Sequence, residues 1–135
     1  MTPSAMTVPP GLAALARRLA FDTAGWSRAG RIDLQVDRHP RITLRRGPRE
    51  SIEVEARLGP LPAPPREREE LVDRLMLRVT AGAPARVATL ALSADASLLL
   101  LQARLHGQEA IAAEEGFEAF LNDLDYWSAQ LGERR

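Results

Sequence analysis

The sequence predicts an α+β domain in the order α-β-β-β-α-β-β-α, an antiparallel five-stranded sheet with helices packed mainly on one face. Three observations carry this prediction. Residues 32–58 contain three runs in which apolar and polar side chains alternate, the period of a half-buried strand. Two further strand-like runs lie at 86–93 and 97–106. Three other stretches repeat their apolar residues every three or four positions, the period of an amphipathic helix.

Residues 1–10 hold Pro3, Pro9 and Pro10 and read as a flexible N-terminal arm. The first helix is expected over about 10–21, with Leu12, Leu15, Ala16 and Leu19 on one stripe. Asp22-Thr23-Ala24-Gly25 should end it, with Gly25 near the C-cap. In the first strand Ile32, Leu34 and Val36 alternate with Asp33, Gln35 and Asp37, and Arg38-His39-Pro40 forms the turn. Ile42 and Leu44 alternate with Arg41, Thr43 and Arg45 before the turn at Gly47-Pro48. Ile52, Val54, Ala56 and Leu58 alternate with Glu53, Glu55 and Arg57. The result is a meander with one apolar and one charged face, the charged face suited to cross-strand ion pairs.

Four prolines within 60–65 interrupt strand pairing and make a short connector. A second helix follows over about 66–79, with Pro65 just before it and Glu67, Glu69 and Glu70 near its positive end. Leu71, Val72, Leu75, Met76 and Val79 form its stripe, and Ala81-Gly82-Ala83-Pro84 stops it. The run Leu98-Leu99-Leu100-Leu101 is apolar on both faces and reads as a strand inside the sheet. The last helix, about 108–131, puts Phe117, Phe120, Leu121, Leu124, Trp127 and Leu131 on one face. Its other face carries Glu114, Glu115, Glu118, Asp123 and Asp125, read as solvated. Residues 11–131 thus form one domain, with 132–135 a C-terminal tail.

Catalytic chemistry finds no foothold. The chain has no cysteine, so thiolate metal sites and cysteine nucleophiles are excluded. His39 and His106 stand far apart in sequence and read as solvated loop residues, so no metal site is expected. There is no glycine-rich phosphate loop and no Gly-x-Ser-x-Gly elbow. The chain therefore reads as a non-enzyme without catalytic residues or cofactor. Basic and acidic residues balance at 18 each, and every basic residue is arginine, a bias of the whole chain in keeping with GC-rich coding. Residues 28–49 hold seven arginines against Asp33 and Asp37, whereas 105–133 hold seven acids and no base. No stacking aromatic accompanies the basic stretch beyond Trp26, so nucleic acid is not the expected partner. With no export signal and no apolar stretch near the ~20 residues a bilayer needs, the expectation is a cytoplasmic protein without membrane insertion.

Hydrophobic surface is what remains. The long aromatic helix can cover the apolar sheet face, which leaves the first two helices with little to bury against and points to a homodimer. A protein-binding regulatory or adaptor domain is one reading of such a fold.

Three stretches resemble one family, the class I chaperones of bacterial type III secretion, the Tir-chaperone family. Leu12-Ala-Ala-Leu-Ala-Arg-Arg-Leu-Ala20 is similar to its opening helix. Ile52-Glu-Val-Glu-Ala-Arg-Leu-Gly-Pro-Leu-Pro62 is similar to its third strand and the apolar-Gly-x-Leu-Pro connector after it. Gly116-Phe-Glu-Ala-Phe-Leu-Asn-Asp-Leu-Asp-Tyr-Trp127 is similar to its final helix. The resemblance implies a cytoplasmic bacterial homodimer, tied to virulence, without enzymatic activity. It would bind the N-terminal segment of a secreted effector, keep it non-globular and aid its delivery to the secretion apparatus. Carried over by position, Leu12, Leu15, Leu19, Ile32 and Leu34 would contribute to an effector-binding groove. Leu71, Leu75, Met76 and Val79, with the strand bearing Leu90 and Leu92, would contribute to the dimer interface. The chain departs from the family in one respect: its pI of about 6.7 is neutral where the family is typically acidic.

Overall fold

The structure is a computed structural model and describes residues 8–82 and 88–132. Ten-residue α1 (Pro10–Leu19) is followed by a short α2 (Ala24–Ala29) and the meander β1 (Arg31–Leu34), β2 (Ile42–Arg46) and β3 (Ile52–Pro60). Then come α3 (Pro65–Gly82), β4 (Thr89–Leu92), β5 (Leu98–Leu105) and α4 (Ala110–Gly132). The strands form one antiparallel sheet in the order β1-β2-β3-β5-β4. Residues 86 and 87 of the strand expected at 86–93 lie outside the described residues, as do most of the arm and the tail.

Register confirms the two-faced sheet. Ile32 lies opposite Leu44, Leu44 opposite Val54, and Ile52 opposite Leu105, all on the inner face. These side chains join Leu12 and Leu15 of α1, Trp26 of α2, Leu71 and Leu75 of α3, and Phe117, Phe120, Leu124 and Trp127 of α4 in one core. α4 lies against β3 and β5, and α1 packs on α4. β5 is an interior strand, as its doubly apolar run requires: Leu99, Leu100 and Leu101 are all buried.

Two local features differ from expectation. α1 ends at Leu19, capped by Ala20 in the left-handed region, and the segment read as its terminator begins α2. The Asp22 carboxylate accepts from the Ala24 N–H at 2.9 Å, which satisfies one free donor at the start of this six-residue helix. Gly25 is inside α2, and a Cβ there would meet the Arg31 carbonyl oxygen at 2.7 Å, so glycine allows close approach. Arg46 fastens α2 to β2, with its guanidinium 5.3 Å from the Trp26 ring centre and donating to the Trp26 carbonyl at 3.1 Å. Strand β3 also runs on to Pro60, opposite Leu98, because beyond Ala56 it has no β2 neighbour to lose a hydrogen bond to.

The β4–β5 turn is set by a carboxylate. Asp95 Oδ1 accepts from the Ser97 hydroxyl (2.6 Å), the Ser93 hydroxyl (2.8 Å) and the Ser97 N–H (3.0 Å). The Ser97 and Ser93 hydroxyls hold the Asp95 carboxyl down to about 2.

Leu15 is 1% exposed between α1, α4 and the sheet. Leu15→Ala is expected to lower unfolding free energy by about 2–5 kcal/mol, seen as an earlier urea midpoint at unchanged slope. A shift below about 0.5 kcal/mol, the size of ordinary surface substitutions, would show that α1 is not part of the core.

Candidate functional site

The structure sorts the residues anticipated for the groove and the dimer interface by their burial. Leu12 (0%) and Leu15 (1%) are enclosed by the chain's own α4 and sheet. Ile32 and Leu34 are buried on the inner face. These four therefore form core and not the open floor of a groove, because α4 supplies the apolar cover that a second chain would otherwise provide. Of the five residues assigned to the groove, only Leu19 keeps partial exposure, packed at the margin of the core.

The anticipated dimer residues divide by helical angle. At about 100° per residue, Leu71 and Leu75 share the face that α3 turns to the core, and both are buried. Val72 and Val79 lie on the flank and are partly buried, and Met76, beside them, is 56% exposed. Leu90 and Leu92 lie opposite Leu101 and Leu99 on the inner face of edge strand β4. Leu90 is partly covered and Leu92 is 48% exposed. A flank of α3 and the rim of β4 thus present apolar side chains to solvent. Leu77, exposed on the far side of α3, escaped the sequence reading because it lies outside the stripe.

The outer sheet face is polar throughout β1, β2 and β3. The Thr43 hydroxyl donates to Asp33 at 2.7 Å from the directly opposed position. Arg104 meets the opposed Glu53 at 3.0 Å, and Arg45 reaches the diagonal Glu55 at 3.1 Å. Arg31 pairs with Asp33 at 3.4 Å. The Asp33 carboxyl is held below its ordinary value, first by the Thr43 hydrogen bond; burial opposes this, and Arg31 and then the charge of Arg41 add to the lowering. Arg41 and Arg57 have no carboxylate within 4 Å among the described residues. With Arg31 and Arg45 they line a depression of about 340 Å³.

The histidines and one acid depart from expectation. His39 is not solvated: its side chain is 18% exposed, with Nδ1 3.0 Å from the Val36 carbonyl and Nε2 2.8 Å from Asp125 on α4. The Nε2–Asp125 contact is close but not aligned as a hydrogen bond. Asp123 is 3% exposed, and its carboxylate accepts from the Ala88 N–H at 2.9 Å, fixing the approach to β4. His106 is exposed. Among the described residues no three His, Asp or Glu side chains gather closely enough to hold a metal ion, and no helix is long and apolar enough to cross a membrane.

Comparison with known proteins places this geometry. The model of the Tir chaperone protein (CesT) family matches residues 11–125. No curated protein matches the sequence. Among solved structures, the heterodimeric ExoU–SpcU complex from the type III secretion system of Pseudomonas aeruginosa contains a similar chain. Its TM-score is 0.63 at 17% identity, covering 88% of this chain and 92% of that one. The HopA1–SchA chaperone–effector complex matches with a TM-score of 0.59 at 15% identity, over 84% and 87% of the two chains. The ExsC–ExsE complex matches with a TM-score of 0.58 at 17% identity, over 87% and 88%. At these identities the structures establish a shared fold.

Proposed function

The chain belongs to the Tir chaperone protein family, and from that premise we propose that it is a type III secretion chaperone that works by binding, not by catalysis. In the bacterial cytoplasm it holds the N-terminal segment of a secreted effector in a non-globular state and aids its delivery to the secretion apparatus. The observation that carries this reading is the family match across nearly the whole domain. The likeness of the fold to chains solved in chaperone–effector and related complexes supports it.

The geometry is suited to such a task. β1 is an edge strand, so its outer backbone groups can pair with an extended segment of another chain. Leu19 and the end of α1 stand at the margin of the core, while Leu12 and Leu15 keep α1 in place behind it. An extended partner gains from wrapping a large surface, because ordering a disordered segment reduces affinity per unit area. Homodimerisation uses a different region, the Met76 flank of α3 with the β4 rim around Leu90 and Leu92. Leu71, Leu75 and Val79 support that flank from within each protomer.

Two outcomes test this. Met76→Asp, placing a carboxylate in the dimer seam where unpaired charge is costly, is expected to give a folded monomer by light scattering and circular dichroism. Leu75→Asp, aimed at the protomer core, is expected to lose the fold itself. A dimer unaffected by Met76→Asp would put the interface elsewhere. For the effector, the partner that co-purifies from the native cell is divided into its N-terminal segment and the remainder. The segment alone is expected to bind and to stay protease-sensitive outside the contact. Binding confined to the remainder would contradict the proposal.

A further inference from the structure

We propose that Arg41 and Arg57 form a carboxylate-binding site on the outer sheet face, where an acidic stretch of the bound partner lies across β2 and β3. The inference rests on the chaperone reading and specifies the chemistry of the segment bound. Elsewhere on this face the charged side chains answer one another: Arg104 with Glu53, Arg45 with Glu55, Arg31 with Asp33. Arg41 and Arg57 form no ion pair within 4 Å among the described residues, although the Arg41 charge reaches Asp33 at longer range. The last β2–β3 pair is Ile42 with Ala56, so Arg41 and Arg57 are the next residues beyond the paired segment, and both line one depression. Like charges gathered on one sheet face repel, and within 4 Å no described carboxylate offsets these two.

The surroundings point to an anion. The depression that both residues line also takes in Arg31 and Arg45, so four guanidinium groups face only Asp33 and Glu55. The helices contribute their buried residues to the inner-face core, and the depression opens on the other side of the sheet. A guanidinium is a planar fork matched to a carboxylate, and two neighbouring forks can hold acidic side chains from one extended strand.

Charge complementarity selects a different chain as the occupant. The acidic surface of this protein lies on the exposed side of α4, with Glu114 and Glu118 near Arg18, and α4 packs on the inner face. A second copy meeting the outer face through that surface would make a head-to-tail contact, which gives a ring or a filament and not a two-fold dimer. Nucleic acid is a poor fit, because the residues lining the depression include no aromatic for bases to stack on.

The test uses a labelled peptide of about eight residues alternating Glu and Thr, long enough to cross the face at ~3.3 Å per residue. A matched peptide carries Gln for Glu. Fluorescence anisotropy at low salt is expected to show the Glu peptide binding the intact protein about tenfold or more tightly than the Gln peptide, the size expected of a charge-assisted bond. The double variant Arg41→Gln, Arg57→Gln is expected to lose that preference while melting at the same or a higher temperature, since a repulsion is removed. Equal binding of the Glu peptide by protein and variant, or no preference by the intact protein, overturns the site. A changed oligomeric state in the variant also overturns it, by making the face a contact between copies. The native partner separates this inference from the one beneath it. Retention by the variant with unchanged affinity and salt dependence rejects the arginine site alone, whereas absence of any secreted partner on the intact protein rejects the chaperone reading.

Discussion

The inner face of the sheet is closed by the chain's own helices, and the rest of the molecule is arranged around that fact. Leu12 and Leu15 from α1 and Phe120, Leu124 and Trp127 from α4 meet Ile42, Leu44, Ile52, Val54 and Leu101 in a single layer, each 2% exposed or less. At ~25 cal/mol per Å² of apolar surface, this layer is the main source of stability in a chain that has no cysteine to form a disulfide. It also decides what the chain can offer another protein. Side chains already enclosed cannot enclose a partner, so the proposed recognition surfaces are a sheet edge, the flank of α3 and the outer face.

These surfaces differ in physical character, and the difference separates their roles. The α3 flank and β4 rim expose Met76 and Leu92, apolar groups that gain by being covered permanently. The outer face exposes ions that are content in water and hold one another in register, as Thr43 and Arg31 do for Asp33. A dimer seam suits the first. A partner that must later be released suits the second, because exposed ion pairs are individually weak and sensitive to salt.

Much of this was legible in the sequence. Period-two alternation placed β1, β2 and β3 and identified their charged face, and the doubly apolar run placed β5 inside the sheet. The family resemblance followed from residues in α1, β3 and α4. Other features left no pattern to read. α2 is six residues long, too short for a helical period, and its starting signal is one Asp22 hydrogen bond. His39 looked solvated because it stands in a turn beside Pro40, and Asp123 because it is one of several acids on the last helix, whereas their burial comes from packing between segments distant in sequence. The residues assigned to the groove show the deeper limit. An apolar stripe such as Leu12-Leu15-Leu19 says that something covers it, and only the fold shows that for Leu12 and Leu15 the cover is α4.

The central claim is that the inner-face core stays closed while partners engage what lies outside it. Amide hydrogen exchange on the protein with and without its bound effector segment measures this directly. The account predicts added protection in β1 and on the strands of the outer face, with α1 and α4 exchanging as slowly as before. Faster exchange in α1 and α4 on binding, as the helices part to admit the segment among Leu12 and Leu15, would contradict it.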